Sequence, residues 1–137
     1  KALLSELIDG KIDTIATDHA PHLLKEKEGD CLKAVSGMPM IQFSLLAMLQ
    51  LTKTTNLTIE NVVEKMCHNP AILFNIKNRG FVQKGYIADL VLIDPNKKTS
   101  VSEENILSKC KQMKRSNPLL FFIYLKVRLL YNEGRKI

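Results

Sequence analysis

The sequence has 137 residues, of which 45% are hydrophobic and 25% charged, a composition that fits one globular domain and excludes a low-complexity chain. No apolar run approaches the roughly 20 residues that cross a bilayer, and no signal-peptide pattern is present, so we expect no membrane association. The net charge is +6, and residues 109–137 alone carry +7, but this tail has no zinc-finger, RNP-like or recognition-helix pattern, so we expect no nucleic-acid binding.

The first elements predicted are a helix and a strand. Residues 2–9 have apolar residues at helical spacing, and Gly10 follows as a stop signal. The segment Ile12–Thr17 alternates and is β-prone, which predicts a short buried strand. A helix, a glycine turn and a buried strand are the pieces of a βα repeat. Residues 18–22 then form a polar turn, which Pro21 holds away from helical geometry.

Helices are predicted to dominate the next part of the chain. Residues 25–36 are charged and mixed, which indicates a loop, and residues 41–51 are apolar on most faces, which predicts a buried helix. Thr58 is a plausible N-cap, because apolar residues follow it at helical spacing. We interpret Asn69 as the cap of a further helix that runs to Phe74, with proline at its first position.

The character of the sequence changes after residue 77. Turn signals such as Arg79-Gly80 and Lys84-Gly85 surround short apolar runs, and Leu90–Ile93 is a strand candidate. We interpret Gly80 and Gly85 as turn glycines, since no phosphate-binding glycine pattern is present. The chain therefore divides into an α/β part, residues 1–76, and a β-rich part, residues 77–137.

The cysteines predict neither disulfides nor a zinc ribbon. Cys31, Cys67 and Cys110 are odd in number, far apart and without a CxxC pair. Reduced thiols in a cytoplasmic protein are the simplest interpretation.

Asp18 is the strongest candidate for chemistry. It follows the C-terminal end of a predicted buried strand, where catalytic groups gather in barrels and open α/β sheets. With His19 and His22 it supplies three groups that can bind metal or transfer protons. The alternative is a capped turn, in which Asp18 bonds the following amides and the histidines lie at the surface.

Four motifs in order resemble one family. The string Ile15-Ala16-Thr17-Asp18-His19-Ala20-Pro21-His22 closely resembles the last-strand motif of dihydroorotases, which are metal-dependent (β/α)8 barrels of the amidohydrolase superfamily. Residues 68–74 resemble its "NPA-x-x-F" helix start, and residues 79–94 resemble the superfamily's "RG…ADLVL-(I/V)-D" block. A segment containing Ser36, Gly37 and Pro39 lies between them in the expected order. The resemblance covers residues 1 to about 110.

The resemblance implies an α/β fold. Residues 1–76 would be the last βα portion of a TIM barrel with its C-terminal helices. Residues 77–137 would belong to a small β-sandwich beside the barrel, ending in an atypical basic and apolar tail.

The resemblance also implies an activity, the reversible cyclisation of N-carbamoyl-L-aspartate to dihydroorotate in pyrimidine biosynthesis. Asp18 would ligate metal, act as general base and return the proton to the leaving nitrogen. His22 would contact the substrate carboxylate, and Ser36 and Gly37 would touch the substrate largely through backbone. His19 would order the turn. The full-length protein would hold one or two Zn²⁺ ions, and a homodimer and a carbamoyltransferase complex both stay open as its assembly.

Several family features are missing. There is no HxH pair and no sign of the carboxylated lysine or the two later histidines, so we expect the isolated chain neither to bind metal tightly nor to catalyse hydrolysis. Met40 and Gln42 stand where the family usually has Gly and Glu, which suggests a divergent branch. The tail over residues 111–128 also departs, through a frameshift or through divergence that keeps an apolar strand.

Two other functions stay open. One is another cyclic amidase of the allantoinase or hydantoinase type, against which a His22 facing a carboxylated substrate argues. The other is a non-catalytic subunit that supports a carbamoyltransferase. His68 is not counted among the catalytic candidates, since its place before an Asn cap favours local packing.

Overall fold

A computed structural model describes residues 2–30, 32–99 and 101–110, together with the backbone of residues 126–130. The predictions for Cys31 and for residues 111–125 lie outside this part of the chain. Within it, no helix is long and apolar enough to cross a membrane. The helices and strands run in this order: α1 (Ala2–Ile8), a 3-10 turn (Leu24–Lys27), α2 (Ser44–Thr54), α3 (Ile59–Val63), a π-helical turn (Glu64–His68), α4 (Asn69–Leu73), β1 (Leu90–Asp94) and β2 (Lys126–Leu130).

Helix α2 lies between two hydrophobic clusters. Leu46 and Leu49 on one side pack with Phe43, Val101 and Ile106. On its other flank, Leu45 and Met48 pack against a second cluster, whose buried members are Leu7, Leu57 and Val62. The prediction that this helix is apolar on most faces is therefore confirmed, although it begins and ends three residues later than predicted.

The residues just before this helix bond the neighbouring loop. The N–H of Ile41 donates to the ring Nδ1 of His19 at 3.2 Å, and Phe43 N–H donates to Met40 C=O in a turn. The amide of Ile41 is therefore committed to a contact outside the helix.

Gln42 joins the start of α2 to the segment that follows β1. Its side-chain amide donates to Asn105 C=O at 2.7 Å and its carbonyl accepts from Leu107 N–H at 2.9 Å. A carboxylate in this place could accept from Leu107 but could not donate to Asn105. Glutamine at position 42 thus has a structural reason to stand where the family usually has glutamate.

The predicted strand over Ile12–Thr17 is wrong as a regular element. None of these residues is in a strand, and no neighbouring strand for them lies within the described residues. The segment instead bonds a helix, because Ile15 N–H donates to Lys65 C=O at 3.2 Å and Asn69 Nδ2 donates to Asp13 C=O at 2.7 Å. Alternating sequence predicts an extended segment but not the partner that makes it a strand.

The capping predictions had opposite outcomes. Thr58 caps α3 as expected, since its hydroxyl accepts from Asn61 N–H and the Asn61 side chain accepts from Thr58 N–H. Asn69 is not a cap, because the π-helical turn already delivers a helical chain to it and its side chain crosses to Asp13. Proline does stand near the start of α4 as predicted.

An asparagine closes the last turn of α4, two residues after the helix ends at Leu73. Asn75 adopts φ +51, Ile76 N–H donates to Ala71 C=O at 2.8 Å, and Asn75 N–H donates to Ile72 C=O at 3.1 Å. This pair of bonds is the Schellman motif, in which a residue in left-handed geometry closes the last turn.

The strand predicted over Leu90–Ile93 is confirmed. It spans Leu90–Asp94 as β1 and pairs with β2 in an antiparallel ladder, with Leu92 opposite Arg128. The Arg79 guanidinium forms an ion pair with the Asp89 carboxylate next to the start of β1. The arginine and aspartate of the motif over residues 79–94 therefore contact each other.

Candidate active site

Two chain segments that the sequence marks as functional lie side by side. Residues 18–22 and residues 35–41 are joined by a parallel bridge between His19 and Met38. Ala20 N–H donates to Met38 C=O at 3.2 Å, and His19 Nδ1 accepts the Ile41 N–H described above. A nitrogen that accepts this bond carries no proton, so the neutral ring of His19 has its proton on Nε2. This bond ties His19 to the neighbouring segment, which supports the expectation that His19 orders the turn.

Gly37 lets the two segments approach. Its φ is +107, and a Cβ added there would overlap the methyl group of Ala20. Any larger residue would therefore strain the backbone and separate the segments. The predicted substrate-contacting residues Ser36 and Gly37 are both exposed, at the edge of this contact.

Lys27 bonds the backbone of the segment over residues 35–41. Its ammonium donates to Gly37 C=O at 2.5 Å and to Val35 C=O at 3.2 Å, on either side of Ser36. Sequence reasoning missed this residue, because a lysine in a charged loop is indistinguishable from one that only faces solvent. The short 3-10 turn over Leu24–Lys27, also unpredicted, brings Lys27 to this position.

Asp18 has an unusual backbone. Its φ is +44, in the left-handed region that residues other than glycine seldom occupy. Its side chain is exposed, and its carboxylate accepts no hydrogen bond from the residues that the structure describes. The capped turn, in which the carboxylate would bond the following amides, is therefore not what forms here. Strained backbone of this kind concentrates at functional sites.

His22 lies four residues along the chain, beside an acidic partner. Its Nδ1 is 3.8 Å from Glu26 Oε2, and the same oxygen accepts Leu23 N–H at 2.6 Å. The distance is too long for a hydrogen bond but short enough for the carboxylate to orient the ring. The sequence gives no sign of Glu26, because its place beside His22 depends on the unpredicted 3-10 turn over Leu24–Lys27.

Metal ligands are too few within the described residues. No group of three His, Cys, Asp or Glu side chains there could hold an ion. Catalytic zinc commonly takes three protein ligands, so the described residues by themselves do not fit a complete zinc site. Asp18 can supply one carboxylate at most, and the neighbouring His19 already uses its Nδ1 to accept the Ile41 amide.

The remaining candidates have structural roles. His68 stacks on Phe81 with ring centroids 4.3 Å apart and planes at 7°, which confirms local packing. Partial burial raises the pKa of the Cys67 thiol, which makes it a poorer nucleophile. A surface depression of about 300 Å³ lies next to α4, and none of the predicted site residues lines it.

Comparison with known proteins gives consistent matches. A model of the "Amidohydrolase family" matches residues 1–123. The dihydroorotase of Clostridium acetobutylicum is 42% identical over 110 residues, which cover 80% of this chain and 26% of that protein. The dihydroorotase of Methanosphaera stadtmanae is 40% identical over 101 residues, or 74% of this chain and 24% of the relative. That of Halobacterium salinarum is 37% identical over 111 residues, or 81% and 26%. The chain thus spans about a quarter of the length of these relatives.

Proposed function

The chain belongs to the amidohydrolase family, whose fold is the TIM barrel, and on that basis we propose that it is the C-terminal part of a dihydroorotase. The proposed reaction is the reversible cyclisation of N-carbamoyl-L-aspartate to dihydroorotate. The single observation that carries the proposal is the contact between residues 18–22 and residues 35–41, in which the chain between Asp18 and His22 bonds the chain next to Gly37. The similarity to curated dihydroorotases supports it independently.

We propose Asp18 as the general base. In the hydrolytic direction, water adds to the ring carbonyl carbon and the ring C–N bond breaks. Asp18 would take the proton from that water and return it to the departing nitrogen, so that it ends each cycle ionised. Its exposed carboxylate and its left-handed backbone support this role.

We propose that His22 binds the substrate carboxylate and that Ser36 and Gly37 touch the substrate largely through their backbone. A ring N–H and exposed backbone amides are suitable donors to an anion. Lys27 supports the arrangement, since it bonds the carbonyls on both sides of Ser36 and fixes the loop. Glu26 would keep the His22 ring in place.

The wider setting is part of the same proposal. The family is metal-dependent, and we assign the metal as zinc, with Asp18 as the one ligand from the described residues and the others from outside this chain. Residues 1–76 would close the barrel, and residues 77–137 would form part of a β-sandwich beside it. We also propose that the full-length enzyme is cytoplasmic and that it works as a homodimer or in a complex with a carbamoyltransferase.

The decisive test is a substrate panel on the full-length protein. We expect hydrolysis of dihydroorotate, and cyclisation of N-carbamoyl-L-aspartate at lower pH, with turnover of allantoin and hydantoin lower by at least about 100-fold, because a site built for a carboxylate leaves its donors unpaired without one. Faster turnover of allantoin or hydantoin would identify another cyclic amidase. No turnover of any of the four would favour a non-catalytic subunit.

Replacing His22 tests the carboxylate contact. His22→Ala is expected to raise the KM for dihydroorotate by roughly 10–100-fold, since a hydrogen bond to a charged group contributes about 1.5–3 kcal/mol. His68→Ala is the matched control, because it removes an imidazole that stacks on Phe81 and should leave KM unchanged. Steady-state kinetics of the two variants make the comparison, and equal KM values would refute the contact.

A further inference from the structure

The segment that leads to Asp18 is held by a helix and not by a strand. Asp13 C=O accepts from Asn69 Nδ2 at 2.7 Å, and Ile15 N–H donates to Lys65 C=O at 3.2 Å. Backbone groups of alternate residues point to the same side of an extended chain. The helical run from α3 to α4 therefore supplies the two contacts that a neighbouring strand would make.

The π-helical turn is what frees the Lys65 carbonyl. In an α-helix this carbonyl would accept the N–H of Asn69, but here Asn69 N–H donates to Glu64 C=O, five residues back. The same five-residue spacing would pair Lys65 C=O with the N–H of Pro70, which has none. The Lys65 carbonyl is thus left without a helical donor and can accept Ile15 N–H.

Side chains of the same turn fix the Asn69 amide. Glu64 Oε1 lies 3.4 Å from Asn69 Nδ2, so the NH₂ group faces two oxygens, those of Glu64 and Asp13. Lys65, only 3% exposed, places its ammonium 3.3 Å from the same Glu64 oxygen. The 2.7 Å bond to Asp13 is the shortest and strongest of these contacts. The longer contact from Asn69 to Glu64 orients the Asn69 amide, and the contact from Lys65 holds the Glu64 carboxylate.

From this geometry we propose that Asn69 is a positioning residue for Asp18. Asp18 lies three residues after Ile15, in a strained backbone that needs support from its surroundings. That support comes from the tether between Asn69 and Asp13 and from the bond between Ile15 N–H and Lys65 C=O, both on the chain just before Asp18. The catalytic consequence rests on the proposed function, whereas the tether itself does not.

The test compares two positions in one helical run. Asn69→Ala removes the donor, and Asn69→Asp keeps the size of the side chain but cannot donate to Asp13 C=O. Asn61→Ala is the matched control, since it removes the capping contacts to Thr58 at the start of the same run. All variants are made in the full-length protein, and each is measured by hydrogen–deuterium exchange and by steady-state kinetics with dihydroorotate.

We expect amides of residues 12–18 to exchange at least about fivefold faster in both Asn69 variants and at the wild-type rate in Asn61→Ala, because only the former lose the tether. The kcat of the Asn69 variants is expected to fall by about 10–100-fold with KM within about threefold, since a base displaced by a fraction of an ångström loses its geometry while the carboxylate contacts persist. A purely structural role would lower only the folded fraction and leave kcat per folded molecule unchanged.

The outcomes separate the two proposals. Inactivity of the wild-type protein toward dihydroorotate rejects the proposed function, and the exchange rates then decide the tether alone. Unchanged exchange over residues 12–18 in the Asn69 variants overturns the tether. Faster exchange with unchanged kcat in an active enzyme overturns the positioning role. If Asn69→Ala does not fold, Asn69→Asp decides by the same criteria.

Discussion

Asp18→Asn is expected to lower the kcat for dihydroorotate hydrolysis by roughly a thousandfold, within the 10²–10⁴ range that a positioned general base contributes. Asparagine has nearly the same shape and tolerates the left-handed backbone found at this position, so the fold is expected to persist. The amide cannot accept a proton at neutral pH, and it is a weaker metal ligand than a carboxylate. Steady-state kinetics on the folded full-length variant measure the effect.

Asp9→Asn is the matched control for this loss. Asp9 is an exposed aspartate just after α1, and its carboxylate accepts only a long 3.4 Å bond from Ser5 among the described residues. It is expected to keep wild-type activity. If Asp18→Asn retained the rate of Asp9→Asn, the role proposed for Asp18 would be rejected.

Gly80→Ala is expected to destabilise the protein by about 2–4 kcal/mol, from overpacking and from a left-handed backbone together. The φ of Gly80 is +81, and a Cβ there would lie 2.5 Å from Ala71 Cβ and 2.8 Å from Cys67 C=O. The backbone oxygen belongs to the π-helical turn and cannot move without disturbing it. Urea unfolding of the full-length protein measures the loss.

A second glycine separates the two causes. Gly85 has a similar φ of +89 but no atom within 4 Å of an added Cβ. Gly85→Ala is therefore expected to cost only about 1 kcal/mol, from backbone conformation alone. Equal losses for the two alanine variants would show that the close approach at Gly80 contributes nothing.

Local signals in the sequence predicted local structure well. The end of α1 near Gly10, the cap at Thr58 and the strand at Leu90 each depend on a few neighbouring residues, and each is confirmed. The family was also visible in the sequence, because the string around Asp18 resembles the dihydroorotase motif and the comparisons match the same family.

Contacts between distant residues escaped sequence reasoning. The pairing of Asp13 with Asn69 spans 56 positions, so Asn69 next to a proline was mistaken for a helix cap. Lys27 and Gln42 each bond backbone groups that no local pattern marks. The partner of an extended segment depends on the folded arrangement of the chain. The same is true of which lysine donates to backbone carbonyls.

The missing N–H of Pro70 also limits how this sequence can change. Proline does not touch the Asp18 segment through any bond described above, yet a residue with an N–H at position 70 would compete with Ile15 for the Lys65 carbonyl. Asn69 and Pro70 thus favour the same tether in different ways. Asn69 donates to Asp13 C=O, and Pro70, which has no N–H, leaves Lys65 C=O available to Ile15 N–H. Replacing either residue is therefore expected to weaken the same tether to residues 13–15.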